Sequence, residues 1–164
     1  MKQFLVFFSI LFSCTIFSKN KIVFYEPHAT VLTGVIKILK FPGPPNYTSI
    51  ADGDGDETGL YLVLNSPIDV KSNSHIMAND TTEKNVKLVQ VVIKQDSDRN
   101  KIKEGNSVEI SGTLFHALTG HHHARILIMA EKMNIMSLAF VKTKTLNQLP
   151  KEDLQFLDHE NLQN

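Results

Sequence analysis

Cysteine and tryptophan are almost missing from this chain. Its 164 residues contain one Cys, three Tyr and no Trp. The one cysteine, Cys14, lies in an apolar N-terminal run, so a chain cleaved after Ser18 would have no thiol. That excludes disulfide bonds, thiol catalysis and thiolate zinc sites in the cleaved chain. The scarcity of Trp and Tyr also argues against a large aromatic binding platform.

An excess of charge of either sign is missing as well. The chain has 17 Lys and Arg against 17 Asp and Glu, so its formal net charge is zero. Domains that bind nucleic acid usually have a clear basic excess, and we therefore expect no nucleic-acid partner. With 42% hydrophobic and 21% charged residues, the composition is that of an ordinary globular protein with room for one domain.

No apolar run is long enough for a transmembrane helix. The longest, Phe4 to Phe17, spans 14 residues, whereas a spanning helix needs about 20. A basic start at Lys2 and charge from Lys19 onward frame this run, which is the layout of a secretory signal peptide. We expect residues 1–18 to be that peptide and the mature protein to be periplasmic or secreted. A loose lipobox ending at Cys14 leaves open a lipoprotein anchored there.

Alternation of apolar and polar residues predicts five strands and one helix. The predicted strands are Ala29–Phe41, Leu60–Leu64, Val86–Ile93, Ser107–Leu114 and Arg125–Met133. Pro150, followed by acidic residues, predicts a short helix running to Leu162. A long bent first strand among five predicts an all-β protein, a small OB-like barrel over residues 22–136. Residues 137–164 then form a C-terminal tail that carries the short helix.

Two loops are the candidate binding region. In an OB barrel, the loop after the first strand and the loop between the fourth and fifth strands flank the ligand face. Chemically useful side chains lie in both loops here. The candidate ligand-binding residues are Tyr47, Asp52, Asp54, His116, His121 and His123. Such a set would suit a metal, a hydroxylated ligand such as a glycan, or a protein edge.

The histidine tract also predicts a metal site. On an extended backbone His121 and His123 share a face, while His122 points away. Together with His116, these imidazoles would suit zinc, copper or nickel, and zinc is the cofactor we expect if the site binds a metal. The alternative is that the histidines are structural and hold the turn. The acidic run from Asp52 resembles the start of an EF-hand loop, but Glu57 occupies the position that requires Gly, which favours a solvated turn.

Four motifs resemble a known family. They are Phe41-Pro-Gly-Pro-Pro-Asn-Tyr47, Ser49-Ile-Ala-Asp-Gly53, Ser111-Gly-Thr-Leu-Phe115 and Thr119-Gly-His-His-His123. Their combination, between Tyr25 and Lys132, is similar to an exported bacterial family known as domain of unknown function 4431. The resemblance implies a small exported β-domain and no particular activity. Many members have a Cys where this chain has apolar residues such as Ile22, and another where it has Asp69, which fits a lost disulfide.

These observations favour an exported, non-catalytic binding module. Its partner would be a protein or glycan of the cell envelope, held at the rim of the barrel. One alternative is a periplasmic metal-binding protein that uses the histidine tract. A second is a metal-dependent hydrolase with Asp54 or Glu57 as its base. The chain has no Gly-x-Ser-x-Gly, His-Glu-x-x-His or phosphate-loop motif, which disfavours an enzyme.

Overall fold

The computed structural model describes residues 19–93, 99, 101–137 and 146–157. Within them, six strands form one sheet. The strands are β1 (Lys21–Phe24), β2 (Ala29–Pro42), β3 (Asp56–Lys71), β4 (Glu83–Ile93), β5 (Ser107–His116) and β6 (Ile126–Ser137). A 3-10 turn (Met77–Asn79) precedes β4, and a second (Leu146–Gln148) precedes the helix α1 (Lys151–Leu154). The predicted signal peptide and the rest of the tail lie outside the described residues.

Five of the strands close into a barrel. Strand β3 pairs antiparallel with β2 and with β4, and β5 pairs antiparallel with β2 and with β6. A parallel pairing of β4 with β6 completes the ring. This is a five-stranded barrel with a Greek-key connection, as in the OB fold. The predicted all-β, OB-like barrel with a short C-terminal helix is confirmed.

Two glycines allow the strands to approach each other closely. A Cβ added at Gly34 would lie 2.3 Å from the carbonyl oxygen of Val63, and one at Gly112 would lie 2.1 Å from that of Met129. No side chain fits at such distances, so both positions require glycine. Gly34 lies where β2 passes from its pairing with β5 to its pairing with β3. The predicted bend of this long strand therefore has a local cause.

The barrel interior follows the predicted alternation. In β5, Val108, Ile110 and Leu114 are fully buried, while Glu109 and Thr113 between them are partly exposed. Interior residues come from β1 and from all five barrel strands. The largest of them include Ile36, Leu62, Ile110, Leu114, Ile126 and Ile128. Burial of this one continuous cluster is the main force that stabilises the barrel.

A second apolar layer lies on the outside of the barrel. Strand β3 shows both layers, because Leu62 belongs to the interior cluster while Tyr61 and Val63 belong to the outer one. Residues 146–157, which we call the C-terminal segment, cover this outer face. The outer cluster contains Leu39, Phe41, Tyr61, Val63, Leu88, Ala124, Leu146, Leu149 and Leu157. The segment thus gives β2, β3 and β4 a second core.

The structure corrects two predicted boundaries and adds one strand. Strand β3 does not stop at Leu64 but continues to Lys71. Its pairing with β4 shifts register between Val63 and Ile68. Pro67 lies within this irregular stretch, where its missing N–H is tolerated. Its extension pairs in parallel with β1, a strand that the sequence pattern did not predict. The helix begins as predicted but ends at Leu154, and a turn follows instead of further helix. In the described part of the chain no helix has the length and apolarity needed to cross a membrane.

Candidate functional site

The two candidate loops meet at one end of the barrel. The hydroxyl oxygen of Tyr47, in loop 43–55, lies 3.0 Å from Nε2 of His121, in loop 117–125. The two rings are arranged edge to face, with centroids 5.1 Å apart. A hydrogen bond between residues 74 positions apart thus joins the loops. We call these loops, together with Glu57, the rim.

Glu57 extends this contact into a chain of three polar side chains. Nδ1 of His121 lies 2.9 Å from both carboxylate oxygens of Glu57. When the imidazole is neutral, its Nδ1–H donates to Glu57, and Nε2 accepts the phenol proton of Tyr47. The side chain of His121 is 54% exposed and that of Glu57 is 28% exposed. The chain therefore ends in the hydroxyl of Tyr47, a partly exposed residue that His121 orients.

Backbone geometry fixes the position of Tyr47. Its φ is 58°, a left-handed conformation that is uncommon for a residue with a bulky side chain. A Cβ added at Gly120 would lie 3.3 Å from the Tyr47 ring, so the bare glycine backbone packs against one face of the ring. The Tyr47 amide also donates to the carbonyl of Gly43 at 3.0 Å. The predicted Thr119-Gly motif therefore provides the surface on which Tyr47 rests.

Asp54 accepts hydrogen bonds within its own loop. It is buried, and its carboxylate accepts the backbone N–H groups of Asn46, Thr48 and Ser49 at 2.8, 2.7 and 3.0 Å. These bonds, led by those of Ser49 and Thr48, hold the pKa of Asp54 well below its ordinary range. Asp52, by contrast, is exposed. Of the two predicted acidic contacts, only Asp52 remains accessible at the surface.

The structure does not gather His116, His121 and His123 at one point. Nε2 of His116 lies 3.2 Å from a carboxylate oxygen of Glu83, and its Nδ1 lies 3.2 Å from the carbonyl of Ala117. His123 instead stacks on Phe41, with ring centroids 4.0 Å apart and planes 7° from parallel. Within the described ranges, no three His, Cys, Asp or Glu side chains are arranged to hold a metal ion.

The predicted geometry of the tract fails because the backbone turns there. Residues 119–121 form a turn, and the His122 amide donates to the carbonyl of Thr119 at 3.0 Å. The extended backbone on which the predicted shared face of His121 and His123 depended is therefore not present. Nδ1 of His122 accepts the amides of Leu118 and Thr119, at 2.8 and 3.3 Å. Burial, followed by the neighbouring histidines, lowers the pKa of His122, which favours this neutral, accepting form.

Sequence reasoning missed the residue that holds the tract in place. Gln90, on β4, donates from Nε2 to the carbonyl of His121 and accepts the amide of His123, both at 2.8 Å. A nearly buried glutamine on a strand of apolar residues is the sequence signal that would have found it. Two exposed apolar residues of the rim were also missed: Ile50, 39% exposed, and Leu118, 62% exposed.

One stretch of the chain matches a known protein family. Residues 88–134 match the domain of unknown function DUF4431. This match confirms the resemblance to that family over these residues, which include the motifs at 111–115 and 119–123 but not those at 41–47 and 49–53. The DUF4431 match includes β5, loop 117–125, Gln90 and Arg125, but not loop 43–55. No curated protein and no solved structure matches the chain.

Proposed function

We propose that this chain is an exported, non-catalytic binding module that engages a protein partner through the rim. The observation that carries the proposal is the Glu57–His121–Tyr47 chain. It links the two loops that flank the ligand face in OB folds. A rim held together in this way offers a rigid surface, which lowers the entropic cost of binding.

The composition of the rim favours a protein as the partner. Ile50 and Leu118 expose apolar side chains, one from each loop. Tyr47 and His121 contribute polar tips between these loops. Protein interfaces combine apolar contacts with a polar periphery, and tyrosine is among the residues that contribute most binding energy.

The neighbouring strand face is less suited to an extended sugar chain. Oligosaccharides and oligonucleotides bind OB folds across the strands between the two loops. Here the C-terminal segment covers the outer face of β2, β3 and β4. A ligand that needs those strands would have to displace the segment, whereas a partner docking on the loops would not.

A matched set of variants tests this proposal. Mature protein, residues 19–164, is used to capture partners from an envelope extract, with quantitative mass spectrometry as the readout. We expect Leu118→Asp and Tyr47→Ala each to reduce capture of one protein by at least about tenfold, as for interface residues of high energy. The control is Met77→Asp, since Met77 is 87% exposed and lies outside the rim.

Direct binding must then confirm the partner. The captured protein is purified and titrated against the wild type and the three variants by calorimetry. Equal affinity of the wild type and the rim variants would contradict the proposal. Binding of the wild type to a glycan array, lost in the rim variants while no protein partner binds, would instead favour the glycan alternative.

Export is tested separately by the N-terminus of the native protein. Mass spectrometry should show a chain that begins at Lys19 and carries no lipid. A chain that begins at Cys14 with added acyl mass would indicate the lipoprotein alternative. An intact Met1 in a cytoplasmic fraction would contradict export altogether.

A further inference from the structure

The outer face under the C-terminal segment contains a carboxylate-binding pocket. Oδ2 of Asp153 accepts the backbone N–H groups of Lys87 and Leu88 at 2.7 and 3.1 Å. Oδ1 accepts Nε and Nη2 of Arg125 at 2.9 and 2.6 Å. Asp153 is only 2% exposed and Arg125 only 5%. Four donors therefore surround one carboxylate on an otherwise apolar face.

The barrel itself holds the arginine of this pocket in place. Nη1 of Arg125 donates to a carboxylate oxygen of Glu83 at 2.7 Å and to the carbonyl of Lys84 at 3.3 Å. The other carboxylate oxygen of Glu83 lies 3.2 Å from Nε2 of His116. None of these partners belongs to the C-terminal segment. Arg125 thus keeps a set of contacts that does not depend on Asp153.

The segment does not have a stable fold of its own. Its regular structure is a three-residue 3-10 turn and a four-residue helix. Isolated helices shorter than about 12 residues are marginal in water. The segment therefore takes its shape from the face, where it buries Leu146, Leu149 and Leu157 together with Asp153. Its relation to the barrel is that of a peptide in a groove.

The buried ion pair between Arg125 and Asp153 favours a role in selecting the segment that binds to this face. Apolar residues of similar volume are often as stabilising as a buried ion pair, or more so. The pair does specify which segment fits, because an occupant without a carboxylate would leave Arg125 buried without that partner. Leucines alone would fill the apolar surface without any such selection.

We propose that this face is a peptide-binding site and that the C-terminal segment is its tethered occupant. A partner protein would present a segment of the same chemistry, Leu-x-x-Leu-x-x-x-Asp-Leu-x-x-Leu, and take its place. The aspartate binds Arg125 and the amides of Lys87 and Leu88, and the leucines cover the apolar strands. Arg125 is the last residue of loop 117–125, but the site is built on the outer face under the C-terminal segment, and the inference does not depend on the rim proposal.

A labelled peptide tests the site in the full mature chain. The probe is a fluorescein-labelled synthetic peptide with the sequence of residues 146–157, and binding is followed by fluorescence anisotropy. The double variant Leu149→Asp/Leu157→Asp dislodges the segment but keeps the face and Arg125. It should bind the peptide at least about tenfold more tightly than the wild type, whose tethered segment competes at an effective concentration in the millimolar range.

A second peptide isolates the role of the carboxylate. The same probe with Asp153→Asn should bind the double variant about tenfold more weakly, because the amide nitrogen would face N–H donors where a carboxylate oxygen accepts them. Adding Arg125→Met to the double variant should remove this difference between the two peptides. A folded double variant that binds neither peptide, or binds both equally, would overturn the proposal.

If the double variant does not fold, native hydrogen exchange of the wild-type protein tests whether the peptide displaces the C-terminal segment. Wild-type protein is compared with and without about 1 mM unlabelled peptide, near the expected effective concentration of the tether. Displacement should speed exchange in residues 146–157 while the amides of β5 remain protected. Unchanged exchange in the segment would overturn the proposal. Rim variants such as Leu118→Asp should not alter peptide binding, which separates failure here from failure of the rim proposal.

Discussion

Two buried carboxylates hold two different regions of this molecule, loop 43–55 and the C-terminal segment. All hydrogen-bond donors to Asp54 lie within eight positions of it in the chain. The donors to Asp153 lie 28 to 66 positions away, on β4 and next to the start of β6. The first carboxylate completes a local structure, whereas the second fastens one part of the chain to another.

Their electrostatics differ in the same way. Backbone N–H groups lower the pKa of Asp54, because they stabilise its charged form. Burial raises the pKa of Asp153, since it disfavours the charged form by more than the bonds to Arg125 favour it. Local folding around an acid thus stabilises its charge without needing a partner of opposite sign. Long-range docking of an acid requires such a partner.

The largest effect should come from breaking the long-range contact. Asp153→Ala removes the carboxylate that accepts two hydrogen bonds from Arg125 and leaves Glu83 as its counter-charge, and should lower the free energy of unfolding by up to about 3–5 kcal/mol. Chemical denaturation measures the loss. The double variant Arg125→Met/Asp153→Leu removes both charges but leaves Glu83 without Arg125, so it should recover only part of the loss. A double variant less stable than Asp153→Ala would show that Arg125 still stabilises the protein through Glu83 when Asp153 is gone.

The local contact should give the next largest effect, with a clear dependence on pH. The folded pKa of Asp54 lies below its unfolded value, so its contribution is present above the ordinary carboxyl pKa of about 3.9 and is lost as pH falls below it. Asp54→Asn should lower Tm by several degrees at neutral pH. It should also flatten the decline of Tm between about pH 5 and about pH 2. Parallel acid profiles of the two proteins would contradict this account.

Asp153→Asn should change the acid profile in the opposite direction. The pKa of Asp153 is higher in the folded state than in the unfolded state, so the folded state binds more protons just above pH ~3.9. Asp153 therefore stabilises the folded state more in acid than at neutral pH. Its removal should make the decline of Tm in acid steeper than in wild type. The same thermal scans that compare wild type with Asp54→Asn measure it. If Asp54→Asn and Asp153→Asn both flatten the decline of Tm in acid, the predicted contrast between the two carboxylates is wrong.

Asp52→Asn should have the smallest effect of the series. Asp52 belongs to the same acidic run as Asp54, but it is exposed. Substitutions at such surface positions rarely change stability appreciably. We expect a change in Tm of less than about 2 °C at neutral pH. A larger loss would show that the acidic run acts as a unit and not through Asp54 alone.

The fold could be predicted for the strands in which apolar and polar residues alternate and which pair along that length. Alternation in β5 identified its buried face, and five such strands led to the barrel. Strand β1 was missed because four residues next to an apolar leader have too little pattern of their own. The continuation of β3 past Leu64 was missed because a register shift lets Pro67 lie within a strand.

The site was predictable only at the level of loops. Their convergence follows from the fold, and it brought Tyr47 and His121 together. Which side chain faces which depended on a turn at residues 119–121 that the histidine run did not reveal. Arg125 and Asp153, 28 positions apart, carry no shared motif. Pairs of this kind are set by packing, and spacing in the sequence does not encode them.

The position of the outer cover, C-terminal to the barrel strands, has a consequence during synthesis. Strands β2, β3 and β4 are made before residues 146–157, so their outer apolar residues have no cover until that segment has been made. A nascent barrel would expose Phe41, Val63 and Leu88 together during that interval. Exposed apolar strands of this kind favour aggregation and chaperone binding. A stop codon placed just before Leu146 should therefore lower the yield of folded protein relative to the full chain.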